Sequence, residues 1–311
     1  FTMTHKERAI LALTRQQPDY VPTFELEYQL EDLVFGKSFL RQDDLKDMSS
    51  AEQEKAVLEN AEYMVKVYTE LGYSIIPIQY LSEENTIKTA KHINQITNEQ
   101  FLLTAHGDAT FAIPDGDGLV KFVYWLYDNP EDGLAEAKKR ADYGIERNKR
   151  YIQAGIQSLI LCSDYCFNDG PFISPAMFEE FIQPSLYRLC QSIREEGGYS
   201  IKHTDGNIMP ILQMLVDCQP NALHSLDPMA GVDIHKVKEM VGDKVALCGN
   251  VHCAHLQTGT DEQVLESCRY AMESGKPNGG YIFCTSNIPF KGMPVERYQM
   301  VLDFWNQHKY Y

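Results

Sequence analysis

The chain has 311 residues, 44% of them hydrophobic, and a formal net charge of −16 at pH 7. This negative charge argues against nucleic acid and anionic membranes as partners, because phosphate groups are bound by clustered Lys and Arg. The sequence shows no apolar run of transmembrane length and no signal-peptide pattern, so we expect a cytoplasmic protein whose eight cysteines are reduced thiols.

Predicted strands alternate with predicted helices along the chain, because apolar runs of strand length alternate with amphipathic segments. The strands are expected at residues 21–27, 73–79, 101–106, 158–163, 200–205, 222–227, 245–250 and 281–285. The clearest helices are expected at residues 51–71, 130–154, 175–196 and 261–274. Residues 81–117 are loop-like apart from their strand, with room for a small hairpin. Eight strands, most of them followed by a helix, predict a single α/β domain over residues 1–311 with the (β/α)8 TIM-barrel fold.

The carboxyl ends of the predicted strands carry many polar side chains. These are Glu25, Glu27, Gln79, His106, Asp108, Asp164, His203, Asp205, Asp227, Cys248, Asn250 and Cys284. Active sites of (β/α)8 barrels lie at the carboxyl ends of the strands, where the loops of different strands meet. The sequence therefore predicts an active site on this face.

Three of these side chains offer ligands for a metal ion. His203 and Asp205 alternate with Thr204, so they project from the same side of their strand, and Cys284 lies on the last strand. Catalytic zinc sites take three protein ligands from nitrogen, oxygen and sulfur donors and keep a fourth position open. The alternative is that His203 is a hydrogen-bonded barrel residue and Cys284 a small core side chain.

Four other carboxylates stand at strand ends. Glu25 and Glu27 share one face of the first strand, where buried carboxylates are costly unless they are paired or bind a metal. We interpret Glu25 as a substrate-binding residue and Glu27 as a catalytic residue, with a solvent-facing rim as the alternative. Asp164 follows an apolar run and precedes an aromatic loop, so we assign it to catalysis. Asp227 precedes Pro228, where capping or a turn explains a carboxylate as well as function does.

Aromatic side chains occur in or near the loops on the same face, where they could wall an apolar substrate pocket. They are Tyr28, Phe111, Tyr124, Trp125, Tyr165 and Phe167. We assign Tyr165 and Phe167 to substrate binding, together with Asn250 at the end of its strand. Simple packing against helices is the alternative for the aromatic loops.

Short motifs spread over nearly the whole chain are shared with one known superfamily. They are Thr4-His5-Lys6-Glu7-Arg8, Pro18-Asp19-Tyr20-Val21-Pro22, residues 164–170, His203-Thr204-Asp205-Gly206-Asn207, Gly249-Asn250-Val251 and Gly279-Gly280-Tyr281-Ile282-Phe283. Through these motifs the chain resembles the uroporphyrinogen decarboxylase superfamily, which includes cobalamin-linked methyltransferases. The motifs are specific for the superfamily and much less specific for the reaction.

Within the superfamily, the decarboxylase itself fits less well. Its pattern has an arginine-containing N-terminal motif for the carboxylates of a tetrapyrrole, whereas residues 25–36 contain no arginine. A substrate with many carboxylates would also face Glu25, Glu27, Asp164 and Asp205 without compensating positive charge.

The methyltransferase branch is more similar. Resemblance to it implies a zinc ion held by a His-x-Cys motif and by a late cysteine. His203 matches the histidine of this motif, and Asp205 occupies the position of its cysteine. Either Cys284 or Asn287 matches the position of the late cysteine. A carboxylate is a harder ligand than a thiolate. Its presence in the site suits a metal ion that polarises an oxygen of a methyl donor.

These features together predict a zinc-dependent methyltransferase that passes a methyl group between a small methylated substrate and the cobalt of a separate corrinoid protein. The expected donor is a methyl ether, with methoxylated aromatics favoured by the aromatic loops. Zinc would be held by His203, Cys284 and either Asp205 or Glu27. Asp164 would orient the substrate, and Asp205 is assigned to catalysis as well as to the metal. A carboxy-lyase of the uroporphyrinogen decarboxylase kind, acting without metal, is the alternative. A non-catalytic barrel that docks a corrinoid protein is the third hypothesis.

Overall fold

Strands and helices alternate throughout residues 2–311, which the computed structural model describes. The strands in this range are β1 (Ile75–Pro77), β2 (Leu102–His106), β3 (Ser158–Leu161), β4 (Cys166–Phe167), β5 (Gly170–Pro171), β6 (Tyr199–His203), β7 (Ala222–Ser225), β8 (Ala246–Val251) and β9 (Tyr281–Thr285). The α-helices are α1 (His5–Leu13), α2 (Glu31–Phe35), α3 (Ser50–Leu71), α4 (Glu83–Thr97), α5 (Gly118–Asp128), α6 (Pro130–Gln153), α7 (Pro175–Phe181), α8 (Gln183–Glu195), α9 (Leu212–Asp217), α10 (Ile234–Val241), α11 (Cys253–Thr258), α12 (Asp261–Gly275) and α13 (Val295–His308). Short 3-10 helices lie at Gln42–Leu45, Met209–Ile211 and Pro228–Ala230.

One parallel sheet organises the molecule. Its seven strands are ordered β1-β2-β3-β6-β7-β8-β9, so each strand lies beside the next one in sequence, apart from a separate antiparallel hairpin of β4 and β5. In the register of the sheet, Leu161 stands opposite Lys202, and His203 stands opposite His224. Because all seven strands are parallel, their carboxyl ends meet on one face of the sheet.

The first predicted strand, at residues 21–27, is irregular. Thr23 forms one isolated parallel bridge with Phe283 of β9, and its carbonyl oxygen accepts a hydrogen bond of 2.9 Å from the amide of Ser74 beside β1. Pro22 has no amide proton and cannot donate to a neighbouring strand, which prevents a continuous ladder. The predicted α/β class and parallel sheet are confirmed, but within residues 2–311 the parallel sheet has seven regular strands where eight were expected.

The other departures from the predicted elements also have local causes. The predicted helix at residues 175–196 is divided into α7 and α8, and Pro184 lies in the first turn of α8, where its missing amide is tolerated. The interpretation of residues 81–117 as mainly loop was wrong, because α4 occupies residues 83–97. Ser82 begins α4 by accepting a hydrogen bond of 3.2 Å from the amide of Asn85.

The sheet is covered on both faces. Every residue of β3, β7, β8 and β9 is buried, and the buried apolar side chains form one continuous cluster. Strands of parallel sheets read as nearly continuous apolar runs for this reason, so polar side chains at their ends stand out. No helix within residues 2–311 is long and apolar enough to cross a bilayer.

Candidate metal centre

Asp164, His203 and Asp205 come together at the carboxyl ends of two neighbouring strands. One ligand atom of each side chain lies within 4.8 Å of the other two. Nε2 of His203 is 3.5 Å from Oδ2 of Asp205 and 3.7 Å from Oδ1 of Asp164. His203 is the last residue of β6, and Asp164 follows β3, which pairs with β6 in the sheet. Nitrogen and carboxylate oxygens at this spacing are a donor set for a divalent cation.

Neighbouring groups orient the two carboxylates. Oδ1 of Asp205 accepts a hydrogen bond of 2.9 Å from the Ser225 hydroxyl, and Oδ2 accepts one of 2.7 Å from the Asn287 amide. The backbone amide of Asp205 donates to Oδ1 of Asp164 at 2.9 Å. Burial would raise the pKa of Asp205, but its contacts with His203 and Ser225 lower it overall. Asp205 is therefore ionised at neutral pH, as a metal ligand must be.

Two further groups lie behind His203. Nδ1 of His203 is 2.8 Å from Nδ1 of His224, and Nε2 of His224 is 3.5 Å from Sγ of Cys284. Burial lowers the pKa of His224 well below its usual range and raises the pKa of Cys284 well above its own. An uncharged imidazole and an uncharged thiol therefore stand behind the ring of His203.

The predicted ligand set is only partly brought together. His203 and Asp205 meet, but the third member of the group is Asp164, and Cys284 contacts His224 instead. Cys284 lies inside β9, one residue before its end, whereas Asn287 lies beyond the end and its amide reaches Asp205. The stagger between strands, which the sequence does not state, decides which side chain reaches the rim.

The two glutamates predicted for substrate binding and catalysis lie outside this three-residue group. Glu25 is completely buried, accepts hydrogen bonds from the amide and hydroxyl of Thr285, and receives one of 3.2 Å from the hydroxyl of Tyr298. Burial raises the pKa of Glu25 to about 8, so it is mostly protonated at neutral pH. Glu27 is partly exposed and accepts a hydrogen bond of 2.8 Å from the hydroxyl of Tyr80.

The other predicted substrate-binding residues differ in how accessible they are. Tyr165 is buried and its hydroxyl shares a hydrogen bond with that of Thr110. Asn250 is also buried, and its side-chain amide donates to the carbonyl oxygen of Leu226 at 2.8 Å. Phe167 is 42% exposed on the hairpin of β4 and β5. Of these three side chains, only Phe167 has a free face for a ligand.

A buried lysine near the centre was missed by the sequence analysis. Nζ of Lys202 lies 2.8 Å from Oδ2 of Asp108, donates to the carbonyl oxygen of Ser163 at 2.9 Å, and stands 4.0 Å from the ring centre of Tyr165. Burial would raise the pKa of Asp108, but Lys202 lowers it to about 2. The signal for this pair was present, because a lysine within a buried strand needs a counter-charge.

His224 was also missed, because its pairing with His203 depends on the strand register, which the sequence does not state. It is the third residue of β7 and stands opposite His203 in the parallel register. Aligning the ends of the two predicted strands, residues 205 and 227, would have paired His224 with Lys202, one residue away from the observed register.

A cavity of about 350 Å³ opens on the same side, between α2, α3 and the end of β1. Aromatic rings of Tyr28, Phe39, Tyr68 and Tyr80 line it, with Glu27 at its edge. Burial lowers the pKa of His106 at the end of β2, whereas the charge of Glu27 raises it. The cavity is large enough for a small organic molecule, although none of Asp164, His203 and Asp205 lines it.

A parallel β/α sheet with two aspartates and a histidine at its carboxyl edge defines an α/β protein with a candidate metal centre on the face where barrel enzymes act. The sequence model of the uroporphyrinogen decarboxylase (URO-D) family matches residues 109–308, well over half of the chain. The chain therefore belongs to the uroporphyrinogen decarboxylase family.

Two relatives are similar to part of the chain. Uroporphyrinogen decarboxylase from Pseudoalteromonas translucida (strain TAC 125) is 24% identical over 184 residues, which cover 56% of this chain and 49% of the relative. The enzyme of the same name from Aromatoleum aromaticum (strain DSM 19018 / LMG 30748 / EbN1) is 26% identical over 173 residues, covering 54% of this chain and 46% of the relative. The matched part of the chain thus spans about half the length of these relatives.

Solved structures extend the similarity of fold to nearly the whole chain. A methyltransferase from Methanosarcina mazei superposes with a TM-score of 0.77 and 16% identity, covering 98% of this chain and 99% of that one. D-psicose 3-epimerase from Clostridium cellulolyticum H10 superposes with a TM-score of 0.50 and 13% identity, covering 80% of this chain and 93% of that one. At these identities the similarity concerns the fold.

Proposed function

We propose that the protein is a zinc-dependent methyltransferase that moves a methyl group between a small methylated substrate and the corrinoid of a separate protein. The observation that carries this proposal is the group of Asp164, His203 and Asp205 at the carboxyl edge of the sheet. The family and the fold shared with a methyltransferase support it.

The residues present fit a divalent ion. One imidazole nitrogen faces two carboxylates, and hydrogen bonds from Ser225 and Asn287 hold Asp205 in place. Outer contacts of this kind orient ligands and raise metal affinity. Asp164, His203 and Asp205 would hold the ion, which when bound supplies a Lewis acid for an oxygen of the substrate.

The surroundings support a small aromatic or methyl-ether substrate. The cavity between α2, α3 and β1 has aromatic walls, including Tyr28, Phe39 and Tyr80, and Glu27, which also lines it, would meet the substrate. Phe167 offers a further exposed ring on the hairpin. In this scheme the chain binds and orients the donor and excludes water, while the corrinoid supplied by the partner protein receives the methyl group.

All eight cysteines, each within residues 2–311, are free thiols, which supports the expected cytoplasmic location. We further propose that residues 1–311 act as one catalytic domain, because one apolar cluster underlies the sheet and the helices.

The proposal is tested by zinc quantification combined with a screen of methyl ethers, methoxylated aromatics and other methylated compounds against cob(I)alamin. We expect one zinc ion per chain and zinc-dependent formation of methylcobalamin, followed by absorbance. His203→Ala should lose both zinc and turnover. His235→Ala is the matched control, because His235 lies exposed on α10 and pairs only with Glu239. Full activity in metal-free protein, or no turnover of any donor by zinc-loaded protein, would contradict the proposal.

A metal-free carboxy-lyase is the second candidate, because both sequence relatives are uroporphyrinogen decarboxylases. Against it, a carboxylated substrate would meet Glu27, Asp164 and Asp205 on this face, and Arg41 is the only arginine that lines the cavity within the described chain. Release of CO2 from a carboxylated tetrapyrrole by metal-free protein would favour this second candidate.

A further inference from the structure

The rings of His203 and His224 constrain each other's protons. The two residues are register partners on β6 and β7, and their Nδ1 atoms are 2.8 Å apart. Two facing nitrogens at this distance share one proton, so one ring donates an N–H and the other accepts it. For two neutral rings only two arrangements exist. Either His203 carries its proton on Nδ1 and His224 on Nε2, or His203 carries it on Nε2 and His224 on Nδ1.

The Nε2 atom of His224, which points away from His203, finds a partner in both arrangements. Nε2 of His224 is 3.5 Å from Sγ of Cys284, and a thiol can either donate to this nitrogen or accept from it. The ring of His224 is buried, and the ring of Phe24 lies 6.1 Å from it between centroids. Cys284 is thus the polar partner available to Nε2 of His224 in either state.

The Nε2 atom of His203, which faces the two carboxylates, favours one arrangement or the other. Nε2 of His203 faces Oδ2 of Asp205 at 3.5 Å and Oδ1 of Asp164 at 3.7 Å. With no cation between them, a proton on Nε2 is favoured, because it points at two carboxylate oxygens. With a metal ion bound, the same nitrogen must offer its lone pair, and its proton must stand on Nδ1.

We propose that His203, His224 and Cys284 form a tautomer relay that is switched by metal binding. On binding, His203 loses its Nε2 proton to solvent and takes the shared proton from Nδ1 of His224. Nε2 of His224 takes the proton of the Cys284 thiol, and the sulfur is reprotonated from solvent and changes from donor to acceptor. One proton leaves and one enters, so the relay holds the same number of protons in both states. His224 is then a positioning residue that acts through His203. This inference rests on the metal centre of the proposed function but not on the methyl donor.

Two substitutions of His224 distinguish the role of its hydrogen-bond acceptor from that of the space its ring fills. In His224→Asn, the side-chain oxygen takes the place of Nδ1 and can still accept from His203. His224→Leu fills similar space without an acceptor. Loss of an outer-shell partner typically weakens metal binding by about 10–100-fold. We expect a loss of that size for His224→Leu, and a much smaller one for His224→Asn, in zinc competition titrations. Urea denaturation of both variants checks that they are folded.

The relay itself is read out by nitrogen-15 NMR of histidine-labelled protein at neutral pH, with and without zinc. Ring-nitrogen shifts distinguish the two tautomers, and His224→Leu assigns the signals. We expect His203 protonated on Nε2 and His224 on Nδ1 in metal-free protein, with both rings reversed by zinc. Zinc binding that leaves the tautomer of His224 unchanged would overturn the relay. A protein that binds no zinc would overturn the metal centre and the relay with it, whereas a reversed pair without methyl transfer would refute only the methyltransferase.

Discussion

Nζ of Lys202 lies 2.8 Å from Oδ2 of Asp108, and neither side chain is more than 6% exposed. The same ammonium group donates to the carbonyl oxygen of Ser163, the residue before Asp164. The amide of Ser163 in turn donates to Asp108 at 2.9 Å. The ion pair therefore ties β6 and the loop after β2 to the loop that carries one of the metal-site carboxylates.

Lys202→Met should be strongly destabilising, because it leaves Asp108 buried without a counter-charge. We expect the free energy of unfolding in urea to fall by about 3–5 kcal/mol. The exposed pair of Lys138 and Asp142 offers the control, since Lys138→Met should cost less than about 1 kcal/mol. The double variant Lys202→Met, Asp108→Asn should recover part of the loss. Equal effects of the two lysine substitutions would show that the buried pair is not needed.

Glu25 should make stability depend on pH. Burial raises the pKa of Glu25 from 4.5 to about 8, so between these values the folded chain holds a proton that the unfolded chain has released. The free energy of unfolding should therefore decrease as pH rises from about 5 to about 8. In Glu25→Gln this part of the decrease should be absent. Urea denaturation of both proteins across this range measures the difference, and parallel curves would show that Glu25 is ionised throughout.

Asp205 and Asp227 should respond differently to the same substitution. Asp227 caps the 3-10 helix Pro228–Ala230 by accepting from the amide of Met229, and it also accepts from the amide of Gly206. Of the two readings the sequence left open for Asp227, the structure thus shows capping. We expect Asp205→Asn to weaken zinc binding at least about tenfold. Asp227→Asn should weaken it less, since an asparagine can still cap, although its single oxygen cannot replace both carboxylate oxygens towards Met229 and Gly206. Calorimetric titration with zinc compares them, and equal losses would refute the assignment of Asp205 as a ligand.

Gly206 should tolerate no side chain. Its φ is +84°, and a Cβ there would overlap the carbonyl oxygen of Cys166. Gly36 has a φ of +86° with open space around it, so Gly36→Ala isolates the backbone strain of about 1–2 kcal/mol. Gly206→Ala should add about 1–3 kcal/mol for the overlap, and should also weaken zinc binding by displacing Asp205. Thermal unfolding measures the stability lost in each variant, and equal losses in Gly36→Ala and Gly206→Ala would contradict this prediction.

Much of the sheet was predictable, because each of its seven strands lies within one residue of a predicted apolar run. The exceptions depend on single residues or on composition. Pro22 interrupts the first predicted strand, at residues 21–27, and only the observed backbone hydrogen bonds reveal this interruption. The buried face of α4 includes Asn85, Thr86 and Thr89, so its apolar periodicity was too weak to be recognised as a helix.

The site was predictable in part. The period of two along a strand placed His203 and Asp205 on one side, and the strand order placed Asp164 nearby. The position of Cys284 depended on how far β9 extends relative to β6, which no local pattern encodes. Lys202 was overlooked because β6 is short and mixed in composition, so one more polar residue in it does not stand out.

The backbone amide of Asp205 holds the carboxylate of Asp164, so the chain itself sets the spacing of these two groups. An ion bound there would link two stretches of polypeptide that the β3–β6 ladder and the hydrogen bond from Lys202 to Ser163 already join. Binding of the ion would add about 2.7 kcal/mol to the free energy needed to separate the two stretches, at a free ion concentration one hundred times Kd. Amide protons of these two strands should then exchange with deuterium more slowly than before, while those at the opposite edge of the sheet gain less.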